Sequence, residues 1–190
     1  MPIFDHFDFL APIYDRVIRA PGESPLFALL DPPPSGWLLD AGGGTGRVAA
    51  ALSERFEKVV IADGSRPMLG QALAKGCCAA VAGYTERLPF GDGTFERVIM
   101  VDAYHHLSDQ RASLDELWRV LAPGGRLVIE EPDIAVFGVK MVALAEKLAL
   151  MRSHFVRPEA IAAGLEALGA ATKIVRQDHN AWILGERRRG

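Results

Sequence analysis

The chain holds only two cysteines in 190 residues, Cys77 and Cys78, and they are adjacent. Neighbouring cysteines rarely pair with each other, so no disulfide framework is expected. The Cys-Cys-Ala-Ala-Val run reads instead as a buried strand in a reducing cytoplasm. No stretch of 18 apolar residues occurs, which excludes a membrane-spanning helix. Met1–Leu10 carries Asp5, His6 and Asp8 and lacks the basic start and long apolar core of a secretory leader. A cytoplasmic location is therefore expected. Basic excess is missing too: 21 Lys and Arg face 24 Asp and Glu, for a net charge of −3. Nucleic-acid binding through a broad basic face is thus not expected. The closing Glu186-Arg187-Arg188-Arg189-Gly190 reads as a solvated tail, because so few charges make a weak phosphate site. Neither H-E-x-x-H nor paired C-x-x-C is present, so no metal site is expected. There are no repeats, low-complexity tracts or interdomain linkers. One domain over residues 1–190, with a core large enough to be stable alone, is the expectation.

What the chain does have is the stretch Leu38-Leu39-Asp40-Ala41-Gly42-Gly43-Gly44-Thr45-Gly46-Arg47-Val48-Ala49. An apolar run delivers an acid, a glycine loop follows, and a helix-forming segment begins. Strand, glycine turn and helix cradle a nucleotide-like ligand, since missing side chains let backbone N–H groups approach it. Gly44–Ala49 fits the dinucleotide fingerprint G-x-G-x-x-A, which leaves an NAD(P)-linked oxidoreductase open. Asp63, roughly 20 residues on, is where an acid for ribose hydroxyls belongs. Asp40 argues the other way: at the mouth of the cradle it repels a pyrophosphate and welcomes a cationic ligand. A turn cap for Asp40, and a cap for the helix near Ser65 in the case of Asp63, remain the plainer alternatives.

Further along, segments alternate between strand and helix, predicting an α/β fold with a parallel sheet covered on both faces. Strands are expected at Trp37–Asp40, Lys58–Asp63, Cys77–Gly83, Phe95–Val101 and Arg126–Glu130. Cys77–Gly83 is apolar throughout, as a strand buried on both faces should be. Helices are expected at Gly46–Phe56, from a Ser65 cap with Pro67 in the first turn to Gly76, and from about Asp109 to Leu121. Ala122-Pro123-Gly124-Gly125 reads as a helix stop. Ile134–Arg152 and Pro158–Leu168 also read as helical. Thr172–Gln177 and Ala181–Glu186, joined by Asp178-His179-Asn180, predict a terminal antiparallel hairpin.

The spacing of Asp40, Gly42, Gly44 and Gly46, D-x-G-x-G-x-G, resembles motif I of the class I S-adenosylmethionine (SAM)-dependent methyltransferases. Asp63-Gly64-Ser65-Arg66-Pro67-Met68-Leu69 is similar to the family's D-x-S-x-x-M-L, and Glu86-Arg87-Leu88-Pro89-Phe90 to its E-x-L-P-F. Tyr104-His105-His106-Leu107 resembles the H-H-L after the fourth strand. Glu116 to Leu127 reads E-x-x-R-V-L-x-P-G-G-x-L. The nearest subgroup comprises small-molecule enzymes resembling the ubiquinone and menaquinone-biosynthesis methyltransferases. The resemblance implies a Rossmann-like, doubly wound seven-stranded sheet, mostly parallel, with its last strand antiparallel. It also implies methyl transfer from SAM to a small-molecule acceptor, leaving S-adenosylhomocysteine.

By that resemblance, the backbone of Gly42, Gly44 and Gly46 holds the methionine part of SAM, and Asp40 attracts its ammonium. Asp63 accepts the ribose hydroxyls, with Gly64 beside it, and Met68 packs on the adenine. Where the family commonly carries an acid for the adenine amino group, this chain has Tyr84, so recognition leans on Tyr84, Thr85 and Glu86. Asp102, at the end of the fourth strand, joins the cofactor set. His105 and His106 are candidates for a general base, with packing or helix-start histidines as the equal alternative. Tyr104, and Tyr14 in a lid-like segment over residues 1–30, are candidates for acceptor contact. The segment 134–157 is read as a substrate-side wall, core, or half of a homodimer interface. A SAM-binding sensor or partner subunit without catalysis also remains open.

Overall fold

The computed structural model describes residues 25–33, 36–136, 139 and 153–189. Its elements run α1 (Pro25–Leu30), β1 (Trp37–Ala41), α2 (Arg47–Leu52), β2 (Lys58–Asp63), α3 (Arg66–Ala74) and β3 (Ala79–Ala82). Then come β4 (Phe95–Val101), a 3₁₀ turn (Tyr104–His106), α4 (Gln110–Val120), β5 (Leu121–Pro132), α5 (Pro158–Ala167), β6 (Ala171–Gln177) and β7 (Asn180–Glu186). The seven strands form one sheet in the order β3-β2-β1-β4-β5-β7-β6. β1 to β5 pair in parallel, and β7 runs antiparallel to both β5 and β6. The expected Rossmann-like sheet with its antiparallel ending is what forms.

Alternation along the strands divides the core in two. Leu39 and Ala41 of β1, Val98 and Met100 of β4, and Leu127 and Ile129 of β5 meet Leu114, Leu117 and Trp118 of α4 and Ile161 and Leu165 of α5. The opposite face carries Leu38, Ile99 and Val128, packed against Leu26 and Leu30 of α1, Val48 and Leu52 of α2, and Leu69 of α3. β1 therefore sends its helix to one face while β4 sends its own to the other. That reversal between neighbouring strands opens a crevice at their carboxyl ends. Arg97 of β4 closes the end of α1, donating to the carbonyls of Leu30 and Asp31 that the helix leaves orphaned.

Helix starts and stops follow their local chemistry. Ser65 Oγ accepts from Met68 N at 3.3 Å and Asp109 Oδ1 from Ala112 N at 3.0 Å, capping α3 and α4. Three expectations need correction. β3 begins at Ala79, after the cysteines, and it is an edge strand with Ala79 and Ala82 exposed. Apolar composition alone does not distinguish an edge strand of small residues from a doubly buried one. β5 begins at Leu121, directly after α4, so Ala-Pro-Gly-Gly lies inside a strand whose register slips between Phe95 and Arg97. The second helix is also shorter, tightening into a 3₁₀ turn at Ser53–Arg55. Of the segment read as helical at 134–152, only residues 134–136 and 139 are described, and Tyr14 lies outside the described residues.

Candidate active site

The crevice is a cleft of about 330 Å³ lined by the glycine loop, the end of β2, the start of α3, Gly83–Glu86, and Val101–Ser108 except Tyr104 and His105. The loop is built around Asp40. A Cβ on Gly43 would lie 2.6 Å from Asp40 Cγ, so only glycine lets the loop close over this acid. Asp40 is buried to 1% exposure, and its Oδ2 has no hydrogen-bond partner among the described residues. Burial first, and then the charge of Asp63, push its carboxyl up from 3.8 to about 7, against the opposing pull of Arg47 and the Ala49 amide.

Three tethers hold the loop. Gly42 N donates to Ala62 O at 2.7 Å, Gly44 N to Asp63 Oδ2 at 2.9 Å, and Lys75 Nζ to Thr45 O at 2.5 Å. Asp63 Oδ1 also accepts from Ser65 N at 2.8 Å, so this acid both turns the chain into α3 and fixes the glycines, while still lining the cleft. Gly46 does not line the cleft. At φ 74° it starts α2, and a Cβ there would lie 2.8 Å from Ile61 Cδ1 and 3.0 Å from Ala72 Cβ. Its task is close packing of helix on sheet.

Gly64, Met68, Tyr84, Thr85 and Glu86 form the second wall. Tyr84 is 75% exposed, and its ring edge lies close enough to Gly64 that a Cβ there would approach Cε1 to 3.3 Å. Thr85 is buried, its Oγ1 3.2 Å from Ser113 Oγ, while Glu86 Oε1 accepts from Asp109 N at 3.3 Å. The loop behind them is clamped from α4. Glu116 Oε2 accepts from Leu88 N at 2.8 Å, and Arg119 donates to Glu116, Asp92 and the carbonyls of Leu88 and Phe90. Two separate sequence phrases, E-x-L-P-F and E-x-x-R, are thus the two halves of one contact.

At the far end Asp102 takes a left-handed conformation, φ 52°, and its carboxylate meets Arg47 at 3.8 Å. Burial and then the charge of Glu131 raise its pKa, with Arg47 and His105 opposing. Two residues absent from the sequence-derived candidates act here: Arg47 offsets the charge of Asp40 and Asp102, and Lys75 ties down the Thr45 carbonyl. Their only signal in the sequence is adjacency to the glycines for Arg47, and none for Lys75, which is distant in the chain.

The two histidines separate. His106 lines the cleft, with Nδ1 3.3 Å from Ser153 Oγ, and burial together with the neighbouring ring lowers its pKa to about 3. His105 is buried away from the cleft, with Nδ1 2.6 Å from Glu131 Oε2. Tyr104 is likewise buried, its hydroxyl 3.4 Å from Gln110 O, and it does not line the cleft. Of the described candidates, all but Gly46, Tyr104 and His105 converge on the cleft. Among the described residues there is no cluster able to hold a metal ion, and no helix long and apolar enough to cross a membrane.

A doubly wound sheet with β7 reversed, a glycine loop after β1 and acids at the ends of β1 and β2 form the arrangement that resemblance to the class I SAM-dependent methyltransferases implies. Residues 39–129 match the family model described as a methyltransferase domain. Over 115 residues the chain is 40% identical to the demethylmenaquinone methyltransferase of Thermus thermophilus, covering 54% of this chain and 51% of that protein. The chain spans about half the length of the curated relatives it matches. In fold it is similar to a SAM-dependent methyltransferase of Thermotoga maritima, with TM-score 0.79, 21% identity, and 96% and 98% of the two chains covered. It is also similar to the Streptomyces coelicolor geranyl diphosphate C-methyltransferase, solved with S-adenosylhomocysteine, with TM-score 0.72, 15% identity, and 85% and 76% covered.

Proposed function

We propose that this protein transfers a methyl group from SAM to a small-molecule acceptor in the cleft at the β1–β4 switch. The observation that carries the reading is Asp40, a fully buried carboxylate with an unpartnered oxygen under the glycine loop. An isolated buried charge is costly, and a ligand cation offsets that cost. SAM carries an ammonium and a sulfonium, whereas the pyrophosphate of a dinucleotide would meet Asp40, Asp63 and Asp102 with like charge.

In this reading Asp40 and the backbone of Gly42 and Gly44 hold the amino-acid end, with Gly46 supporting the loop from behind. Asp63, which accepts from the amides of Gly44 and Ser65 and lines the cleft, is assigned to the ribose hydroxyls. Gly64, Met68, Tyr84, Thr85 and Glu86 enclose the base, with Tyr84 offering a ring face instead of a charge. Asp102, steadied by Arg47, closes the sulfonium side. SAM supplies a methyl group already activated on sulfur, so alignment and exclusion of water are what the protein must contribute. His106, uncharged at neutral pH, presents a hydrogen-bonding ring to the acceptor. With a pKa near 3 it is a poor proton store, which favours acceptors that need little base assistance. Tyr14 and the segment 134–157 are proposed to form the acceptor-side wall.

The test is incubation of the full chain with methyl-labelled SAM and fractionated metabolite extracts. Label appearing in a small molecule, with release of S-adenosylhomocysteine, supports the reading. Saturable SAM binding without transfer to any fraction would favour the sensor alternative that Tyr84 keeps open, and binding of NAD in place of SAM would overturn both.

A further inference from the structure

Beside the cleft, and outside it, lies a buried polar pair that the donor site does not use. Glu131 Oε1 accepts from Tyr104 N at 2.8 Å, and Glu131 Oε2 lies 2.6 Å from His105 Nδ1. Both side chains are about 95% buried, at 6% and 5% exposure. The His105 ring stacks on Phe155 at 4.3 Å and lies tilted against His106 at 3.9 Å between ring centres. His105 O accepts from His154 N at 2.6 Å, and Gln110 Nε2 bridges the carbonyls of His154 and Tyr104. Every member of the turn Tyr104–His106 is thus fixed by β5, by α4 or by residues 153–155. Only His106 of the three reaches the cleft.

Burying an acid and an imidazole without need is costly, and apolar residues of similar shape would pack at least as well. A contact of 2.6 Å requires one proton between the partners, and the imidazole nitrogen is the more basic site. Glu131 therefore sets which nitrogen of His105 carries hydrogen, as well as the angle of the ring against which His106 rests.

We propose that Glu131 and His105 are a positioning pair that fixes the His105 tautomer and, through ring contact, the orientation of His106 at the acceptor end of the cleft. This inference rests on the methyltransferase reading for its purpose, but not for its test. In Glu131→Gln one amide face must donate. The Tyr104 N–H can only donate, so the amide NH2 faces His105 Nδ1 and forces that nitrogen to accept, moving the ring proton to Nε2.

Long-range proton–nitrogen spectra of the full chain labelled on histidine nitrogen read this directly. The wild type should show His105 protonated on Nδ1 in a single tautomer. Glu131→Gln should move that proton to Nε2 and shift the His106 signals. His105→Asn, whose amide can still donate to Glu131, should shift His106 while leaving the Tyr104 amide signal in place. An unchanged His105 tautomer in Glu131→Gln, or His106 signals that move in neither variant, would overturn the proposal. Failure of the wild type to bind SAM would instead strike the functional reading and leave the tautomer result standing.

Discussion

Replacing Asp40 by Asn keeps the shape of the buried side chain and removes its charge. Folding raises this acid's pKa from 3.8 to about 7, so the native state holds a proton that the unfolded chain releases. The stability tied to that proton is complete below pH 3.8 and is lost as pH rises through about 7. At about 1.4 kcal/mol per pH unit the whole rise corresponds to roughly 4 kcal/mol. Between pH 5 and pH 8 the wild type should lose roughly 2.5 kcal/mol relative to Asp40→Asn. The Asn amide inherits the unpartnered position under Gly43, a cost on the order of 1–3 kcal/mol that does not vary with pH. The pH-dependent part of the difference is therefore the clean quantity. For a chain of this length about 2–4 °C accompanies each kcal/mol, so the Tm difference should change by about 5–10 °C in favour of the variant. Thermal melts of both proteins without ligand, at four pH values from 5 to 8, measure it. Parallel curves would refute the reasoning, since they would mean that Asp40 does not carry its proton into the folded state at neutral pH.

The same carboxyl links donor binding to pH. A cationic ligand prefers Asp40 deprotonated, so calorimetry should show SAM affinity falling about tenfold per unit as pH drops below about 7. Gly46→Ala places a Cβ at φ 74° and 2.8 Å from Ile61 Cδ1, and chemical denaturation should show a loss of about 3 kcal/mol. Gly70→Ala in α3, where an added Cβ meets nothing within 4 Å, should instead stabilise by about 0.5–1 kcal/mol. Tyr84→Ala should weaken SAM binding about tenfold, the loss of one aromatic face, with no change in Tm beyond about 2 °C. Unchanged affinity would make Tyr84 an ordinary surface residue.

The sheet was largely legible because its strands are short apolar runs bounded by glycine, proline and capping residues. β2 and β4 form over the expected residues, Lys58–Asp63 and Phe95–Val101. β3 departs from its expected span because apolar composition reports propensity and not position in the strand order. The start of β5 was hidden because Pro123 and Gly124-Gly125 look like an ending, while the pairing of Leu121 with Phe95 is a tertiary fact. In the cleft, Asp40 and the glycines could be found because an acid before a glycine loop has one electrostatic meaning. The partners of Lys75 and Glu131, Thr45 and the turn Tyr104–His106, are reached only by folding. His105 and His106 illustrate the limit most sharply: adjacent in sequence and identical in chemistry, one is buried against a carboxylate and the other lines the cleft.

The central claim is that this cleft is built for SAM. Calorimetric titration of the full chain at pH 8 with SAM, S-adenosylhomocysteine and NAD tests it, with Asp63→Ala alongside. Asp63 holds both Gly44 and Ser65 and is assigned to the ribose, so its loss should abolish measurable SAM binding in a chain that still melts cooperatively. The wild type should show one saturable site for SAM and its product and no heat with NAD. Binding of NAD alone, or undiminished SAM affinity in folded Asp63→Ala, would contradict it.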